Sequence, residues 1–200
     1  MNSLRNNSLP SYPMLKRHRG FSLIEMLVVI AIIGLLAALT IGAASHFRET
    51  TVRGRVAVER DQIVSAINSY HKHYGFYPQD NQKNPPNPAR NPLYYELTAT
   101  ELDPDPNVAR TIALSEFGIK GIVNTGGEAK NFFPNIGAEG KNYKADGNIL
   151  SLTAGYRGPE GDVNTWRYVS RNPTNNNETF DLWAEVVVGS KKFIIGNWKE

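Results

Sequence analysis

Glu25 is the only charged side chain between Phe21 and Ser45, a run of 25 residues that contains no Lys, Arg, Asp or Pro. A run of that length crosses a hydrocarbon core of about 30 Å at about 1.5 Å per residue. A charged group within such a span costs roughly 3 kcal/mol even on the lenient insertion scales. An acid placed there calls for a specific cationic partner at the same depth. Read from the residues alone, the alternatives are a plain single-pass anchor whose Glu25 reaches back to the interface, and a secretory signal peptide cut elsewhere.

The segment from Arg17 to Leu39, RHRGFSLIEMLVVIAIIGLLAAL, sets a basic cluster and one glycine directly before that run. It resembles the prepilin signature of type IV pilins and of the pseudopilins of type II secretion. The resemblance implies that a membrane prepilin peptidase cuts after Gly20 and methylates the new N-terminus at Phe21, so that the apolar segment is kept. It also implies that Glu25 recruits and registers subunits by pairing with the N-terminal amine of a neighbour. The chemistry is physically coherent. Cleavage would put a cation at Phe21 in an apolar environment, about 6 Å along the helix axis from Glu25. Two chains offset by that distance would neutralise each other. Gly34, Ala38 and Gly42 recur every fourth residue, a spacing that lets helix backbones approach closely in a bundle, although Gly and Ala are also common background in membrane helices.

Other residues capable of chemistry form weaker sets. His71 and His73 are two apart and point to different faces of a helix, a poor geometry for zinc. Asn177-Glu-Thr179 fits a glycosylation pattern of a kind that arises by chance. Tyr94, Tyr95, Trp166, Trp183 and Trp198 read first as core. Ser115 lacks a glycine-rich nucleophile elbow, and no phosphate-binding loop is present. No catalytic site is expected, and the chain is not read as an enzyme.

Charge gives the orientation. The pI near 9.1 invites a nucleic-acid reading, but the first 20 residues hold Arg5, Lys16, Arg17 and Arg19 and no acid, leaving 18 basic and 19 acidic side chains beyond them. The basic excess belongs to the leader, so no nucleic-acid partner is expected. Basic residues stay cytoplasmic, which puts the chain after Ser45 on the other side of the membrane; the resemblance implies that this is the periplasmic side of an inner membrane. With no cysteine, the exported part has no disulfide to rely on.

These residues need a long helix to position them. No proline occurs between Met14 and Pro78, and apolar residues continue at Val52, Val56, Ile63, Ile67, Tyr70 and Tyr74 in helical steps. Gly75 is the expected stop, with Pro78 just beyond. Residues 1–20 are thus read as a cleaved leader, 21–45 as a transmembrane or filament-core helix, 46–77 as its amphipathic second half and 78–200 as a globular head. Gln79 to Pro92, rich in Asn and Pro, predicts an irregular surface loop. Leu93–Leu102 and Val108–Phe117 predict short helices separated by Asp103-Pro-Asp-Pro106. The glycine-rich stretch from Thr125 to Asp162 carries no clear assignment. Thr165–Ser170, Phe180–Val188 and Lys192–Trp198 predict a three-stranded antiparallel sheet packed on the second half of the helix. The fold class is α+β.

That order of elements is similar to the major pseudopilins of type II secretion, with local likeness at Glu59-Arg-Asp-Gln-Ile63, Tyr77-Pro78, Trp166-Arg-Tyr168, Asp181-Leu-Trp183 and Asn197-Trp198. One departure concerns calcium, which the resemblance would place in an Asp-rich loop between the last strands. Here Ala184 to Gly196 has Glu185 and no Asp, whereas calcium needs six to eight oxygens. Asp146-Gly-Asn148 and Glu160-Gly-Asp162 are the remaining candidates, and such pairs are more often solvated turns. No metal or other cofactor is expected.

The resemblance implies a structural subunit of a type II secretion pseudopilus that polymerises through its N-terminal helix to drive protein export. Its partners would be copies of itself, minor pseudopilins, prepilin peptidase and an inner-membrane assembly platform, with an outer-membrane secretin and exoprotein cargo beyond. The alternatives are a type IV pilin or a minor pilin or adhesin whose head binds through the loop at 79–92, and a membrane-tethered periplasmic binding module that never polymerises.

Overall fold

The computed structural model describes residues 20–99, 114–134, 136, 143–146 and 149–199, with the side chains of 41–45 outside that description. The chain divides into two units, one ending at Ala44 and one starting at Ser45. Helix α1 (Leu23–Tyr74) supplies all the regular structure described in the first unit and the opening element of the second.

In the first unit the helix is apolar around its whole circumference, and its segment Leu23–Thr40 is long and apolar enough to cross a membrane. In the second unit the character changes to one buried stripe. Val52, Val56, Ile63, Ala66, Ile67 and Tyr70 are buried, while Arg53, Arg55, Asp61 and Lys72 lie exposed. This is the pattern of a surface helix with one face on a core. The helix stops where expected. Gly75 takes a left-handed φ of 82°, and its N–H donates to the His71 carbonyl at 2.8 Å, a cap that only glycine adopts without strain.

Helix α2 (Leu93–Thr98) is wholly buried and shorter than the predicted 93–102. Ala99 adopts the left-handed conformation and its N–H closes on the Tyr95 carbonyl, while the Thr98 hydroxyl donates to the Tyr94 carbonyl at 2.7 Å. Asp103–Pro106 and the start of the second predicted helix lie outside the described residues; residues 114–117 are helical. The unassigned stretch contains a hairpin, β1 (Tyr143–Asp146) antiparallel to β2 (Ile149–Leu152). The Leu150 N–H donates to the Tyr95 hydroxyl at 2.8 Å, joining that hairpin to α2.

The three C-terminal strands form as predicted, within two residues at each end. They are β3 (Arg167–Val169), β4 (Asp181–Val188) and β5 (Lys191–Gly196), antiparallel in the order β3-β4-β5. Gly189-Ser190 is a two-residue turn that sets Val188 opposite Lys191, with Gly189 at a φ of 62°. Along β4 the residues alternate, and Leu182, Ala184, Val186 and Val188 are buried. That face shares one hydrophobic core with Val56, Ile63, Ile67 and Tyr70 of α1, and with Trp166, Tyr168 and Ile195. The layout is α+β, a long N-terminal helix with a small antiparallel sheet.

The loop at 79–92 departs from expectation. It is irregular, but only residues 82–87 form a continuous exposed stretch, because Asp80, Asn81 and Asn91 are buried. The Asn81 amide donates to the carbonyls of Arg90 at 2.6 Å and Glu116 at 3.2 Å. The Asn91 amide donates to Trp166 O at 2.9 Å. Polar side chains that read as solvent-facing serve as internal crosslinks here, since a buried main-chain carbonyl needs a donor.

Candidate functional site

The sequence places its distinctive chemistry at the start of α1. Ser22 stands just before the first helical residue, and its hydroxyl accepts the Ile24 N–H at 3.3 Å. The Glu25 carboxylate reaches back to accept the Ser22 N–H through Oε2 at 2.8 Å. This is a reciprocal capping box, which satisfies two main-chain donors that the helix itself leaves unpaired. Glu25 Oε1 has no partner among the described residues. The carboxylate is therefore fixed in direction by one oxygen and open at the other, in a helix with no cationic side chain nearby in sequence.

Ser22 was not singled out in the sequence, although Ser-x-x-Glu directly before an apolar run is a helix-start signature. The acid reads first as an ion-pair partner, and its local role as a cap is masked by that.

The other N-terminal candidates are open to a partner. Gly20 is exposed, and Phe21 retains 76 % of its accessible surface. A Cβ at Gly34 would meet nothing within 4 Å, and Ala38 is exposed. The small-residue positions are therefore unused within the chain; Gly42 is helical and lies where side chains are not described. Leu23, Ile24, Leu27, Ile30, Ile33 and Leu35 are likewise exposed. An apolar helix surface of this kind is stable in lipid or against other helices, and not in water.

The head holds a second polar centre that sequence reasoning missed. Glu96 is fully buried. It accepts the Tyr70 hydroxyl at 2.9 Å, the Asn124 N–H at 3.1 Å, the Val123 N–H at 3.0 Å and the Gln79 amide at 3.3 Å. Burial, and then the adjacent Glu96 carboxylate, push the Tyr70 hydroxyl far above its ordinary pKa. Burial does the same to Tyr168, whose hydroxyl donates to the Pro78 carbonyl at 2.9 Å. These groups tie α1, α2 and two loops together.

The remaining candidates stay apart. His71 stacks on Tyr77 at 4.3 Å between ring centres, and His73 meets the edge of Tyr74 at 4.7 Å. Tyr94, Tyr95 and Trp166 are core residues, and Trp183 packs edge-on against Trp198 at 5.9 Å. Among the described residues no three His, Cys, Asp or Glu side chains gather as a metal would require. Asp146 ends β1, Asn148 lies outside the described residues, and Glu160 and Asp162 are exposed on a turn closed by mutual bonds between Gly158 and Gly161. Glu185 is flanked by Arg167 and Lys192. The buried Asp181 lies at the other end of β4, and its oxygens accept the main-chain N–H groups of Thr174, Asn175 and Asn176 at 2.8 to 2.9 Å.

Comparison with known proteins bears on the N-terminal segment. Residues 15–41 match the family described as the prokaryotic N-terminal methylation motif. The chain is 36% identical over 66 residues to the type IV major pilin protein PilE of Neisseria gonorrhoeae, covering 32% of this chain and 38% of that protein. It is 34% identical over 74 residues to the type IV major pilin protein PilE1 of the same organism, covering 36% of this chain and 33% of that one. The chain thus spans little more than a third of the length of the curated relatives it matches. No solved structure matches. The chain carries a type IV pilin-like N-terminal segment with its methylation motif.

Proposed function

We propose that this chain is the structural subunit of a pilin-like filament, held in the inner membrane by α1 until it polymerises, and that the filament is a type II secretion pseudopilus. The observation that carries the reading is the start of α1. There a methylation motif leads into the apolar segment Leu23–Thr40, none of which is buried within the chain, and its one acid, Glu25, keeps an oxygen without a partner among the described residues. In this mechanism prepilin peptidase cuts after Gly20 and methylates Phe21. The Phe21 amine of one subunit then meets Glu25 of the next, and an offset of any other size leaves two charges unpaired in an apolar medium. Apolar packing along Leu23 to Ile41, with close approach at Gly34, Ala38 and Gly42, supplies the rest of the contact. An assembly platform would lift each subunit, and growth would push exoproteins through a secretin.

A surface type IV pilus is the second reading, favoured by the relatives, whose names are those of type IV major pilins. The N-terminal mechanism is the same in both. Intact mass and N-terminal sequencing of protein recovered from membranes of cells with prepilin peptidase test the common part. The expected result is an N-terminus at Phe21 carrying one added methyl group. A retained leader, or a cut beyond the apolar span, would overturn the filament reading in favour of a tethered or secreted module. Loss of exoprotein export on deletion, without loss of surface filaments, distinguishes the pseudopilus from the pilus.

A further inference from the structure

The two edges of the C-terminal sheet carry complementary surfaces. On the β5 edge, residues Thr50, Arg53, Gly54, Ala57 and Arg60 of α1 face Ile194, Gly196 and Trp198 across an open groove of about 410 Å³. Arg60 is engaged, with Asp61 at 2.7 Å and the Gly196 carbonyl at 2.8 Å. Arg53 lies over the Phe193 ring at 5.1 Å and has no carboxylate partner among the described residues. Lys191 and Lys192 on the same strand are already paired, with Glu49 and Glu185. Ile194 retains 45 % of its surface, so the groove offers an unpaired guanidinium beside an exposed apolar floor.

The opposite edge carries the counterpart. The Val187 N–H donates to the Arg157 carbonyl at 3.1 Å, and the Asn164 amide donates to the Glu185 carbonyl at 2.7 Å. Residues 157–164 therefore run along the side of β4 away from β5 and extend the β3 edge. Their tip, 159–163, is exposed throughout, and the Gly158–Gly161 bonds of 2.9 and 3.3 Å fix its shape. It presents Glu160 and Asp162, both without a cationic partner among the described residues, next to Val163, which is 45 % exposed.

We infer that the 159–163 turn of one copy of this chain docks in the α1–β5 groove of the next copy. Glu160 and Asp162 approach Arg53, and Val163 lies on Ile194 and Trp198. Opposite charges and opposite edges make the contact heterologous, and a heterologous contact that does not close into a ring propagates as a filament. Electrostatic complementarity of this kind sets register and rejects wrong partners more than it adds affinity. The inference rests on the filament reading, since it supplies the head-to-head surface that the N-terminal helix alone does not specify.

The chain has no cysteine, so engineered pairs can be read without background. Full-length chains carrying both Arg53→Cys and Asp162→Cys, expressed with the assembly machinery and oxidised as filaments, should give a ladder of disulfide-linked multimers. Each single variant alone should give no ladder, and the two singles co-expressed should stop at dimers. As a second measurement, Arg53→Glu should lower filament yield about tenfold, and Glu160→Lys with Asp162→Lys in the same chain should restore it. Parent filaments that form normally while the double-cysteine chain stays monomeric and Arg53→Glu assembles at the parent level would overturn the surface and leave the filament reading standing. Cross-linking of Arg53→Cys to a different protein would also overturn it. If the parent chain forms no filament, both readings fall.

Discussion

Glu25 has two separable roles, and the capping box allows them to be weighed against each other. Its Oε2 holds the Ser22 N–H at 2.8 Å and the Ser22 hydroxyl holds the Ile24 N–H at 3.3 Å. A cap of this kind contributes about 1 kcal/mol. The proposed pairing with a neighbour's Phe21 amine is larger. Leaving that amine without a counter-charge in an apolar setting costs roughly 3 kcal/mol, which corresponds to about a hundredfold loss in the equilibrium for adding a subunit. Ser22→Ala removes half of the cap and leaves the carboxylate charged, so it should lower assembly fivefold or less. Glu25→Gln keeps an oxygen for the cap but removes the charge, so it should lower assembly about a hundredfold. The assay is the ratio of sheared filament protein to the membrane pool, measured by quantitative immunoblotting at matched expression. If Ser22→Ala fails as badly as Glu25→Gln, Glu25 acts through the helix start and the pairing argument is wrong. If Glu25→Gln assembles like the parent chain, the charge has no role at all.

Three further outcomes are expected of the full chain in detergent micelles. Glu96→Gln would turn an NH2 towards two of the four donors that now converge on the carboxylate, at a cost of roughly 2–4 kcal/mol, so thermal unfolding of the head followed by circular dichroism should fall by about 6–12 °C. The hydroxyls of Tyr70 and Tyr168 are raised in the folded state. Their contribution is therefore complete below the unfolded value near 10 and declines above it, by about 1.4 kcal/mol per pH unit per tyrosine; urea midpoints should be flat up to about pH 9 and drop beyond pH 10, and Tyr70→Phe should soften that drop. EDTA should leave the melting temperature unchanged, whereas Asp181→Ala should lower it, because three main-chain donors lose their acceptor; a loss of stability in EDTA would refute the view that amides alone hold this turn.

Much of the framework was legible because it depends on local or periodic features. The stop at Gly75 follows from one residue's freedom at positive φ. The buried stripe from Val52 to Tyr70 follows from steps of three and four, and β4 and β5 follow from alternation on either side of Gly189-Ser190. What was not legible depends on distant partners. Nothing within Leu-Tyr-Tyr-Glu-Leu-Thr shows that Glu96 points inward, because three of its four donors, on Tyr70, Val123 and Asn124, lie more than 25 residues away and the fourth, on Gln79, lies 17 away. The Asn-rich run at 79–92 carries the composition of a solvated loop, and only its carbonyl partners at Arg90, Glu116 and Trp166 show that it is tied down. The hairpin β1–β2 is two strands of four residues each, too short for alternation to stand out from a glycine-rich background.

Those distant bonds answer a question that the composition raises, namely what crosslinks a cysteine-free head with so much irregular chain. Asp80 Oδ2 accepts the N–H groups of Ser170 and Arg171 at 3.0 and 2.8 Å, drawing the start of the 79–92 loop to the end of β3. Glu96 does the same for the 121–124 segment, Asp181 for the 174–176 turn, and Glu59 holds the Gly155 N–H at 2.7 Å from the helix. Each is a carboxylate accepting main-chain donors, a charge-assisted arrangement worth roughly 1.5–3 kcal/mol per bond. One such clamp therefore matches the 2–4 kcal/mol of a typical disulfide. The difference lies in the state each one acts on. A disulfide also restricts the unfolded chain, whereas a clamp exists only when the loops are in place, so it raises cooperativity without a covalent constraint. Glu59 clamps Gly155 in this way at one end of residues 155–164, and at the other end the Asn164 amide donates to the Glu185 carbonyl. These contacts hold the acidic turn at 159–163 as a preformed shape on the sheet edge, and a preformed turn can bind a neighbour without the entropy cost of ordering on contact.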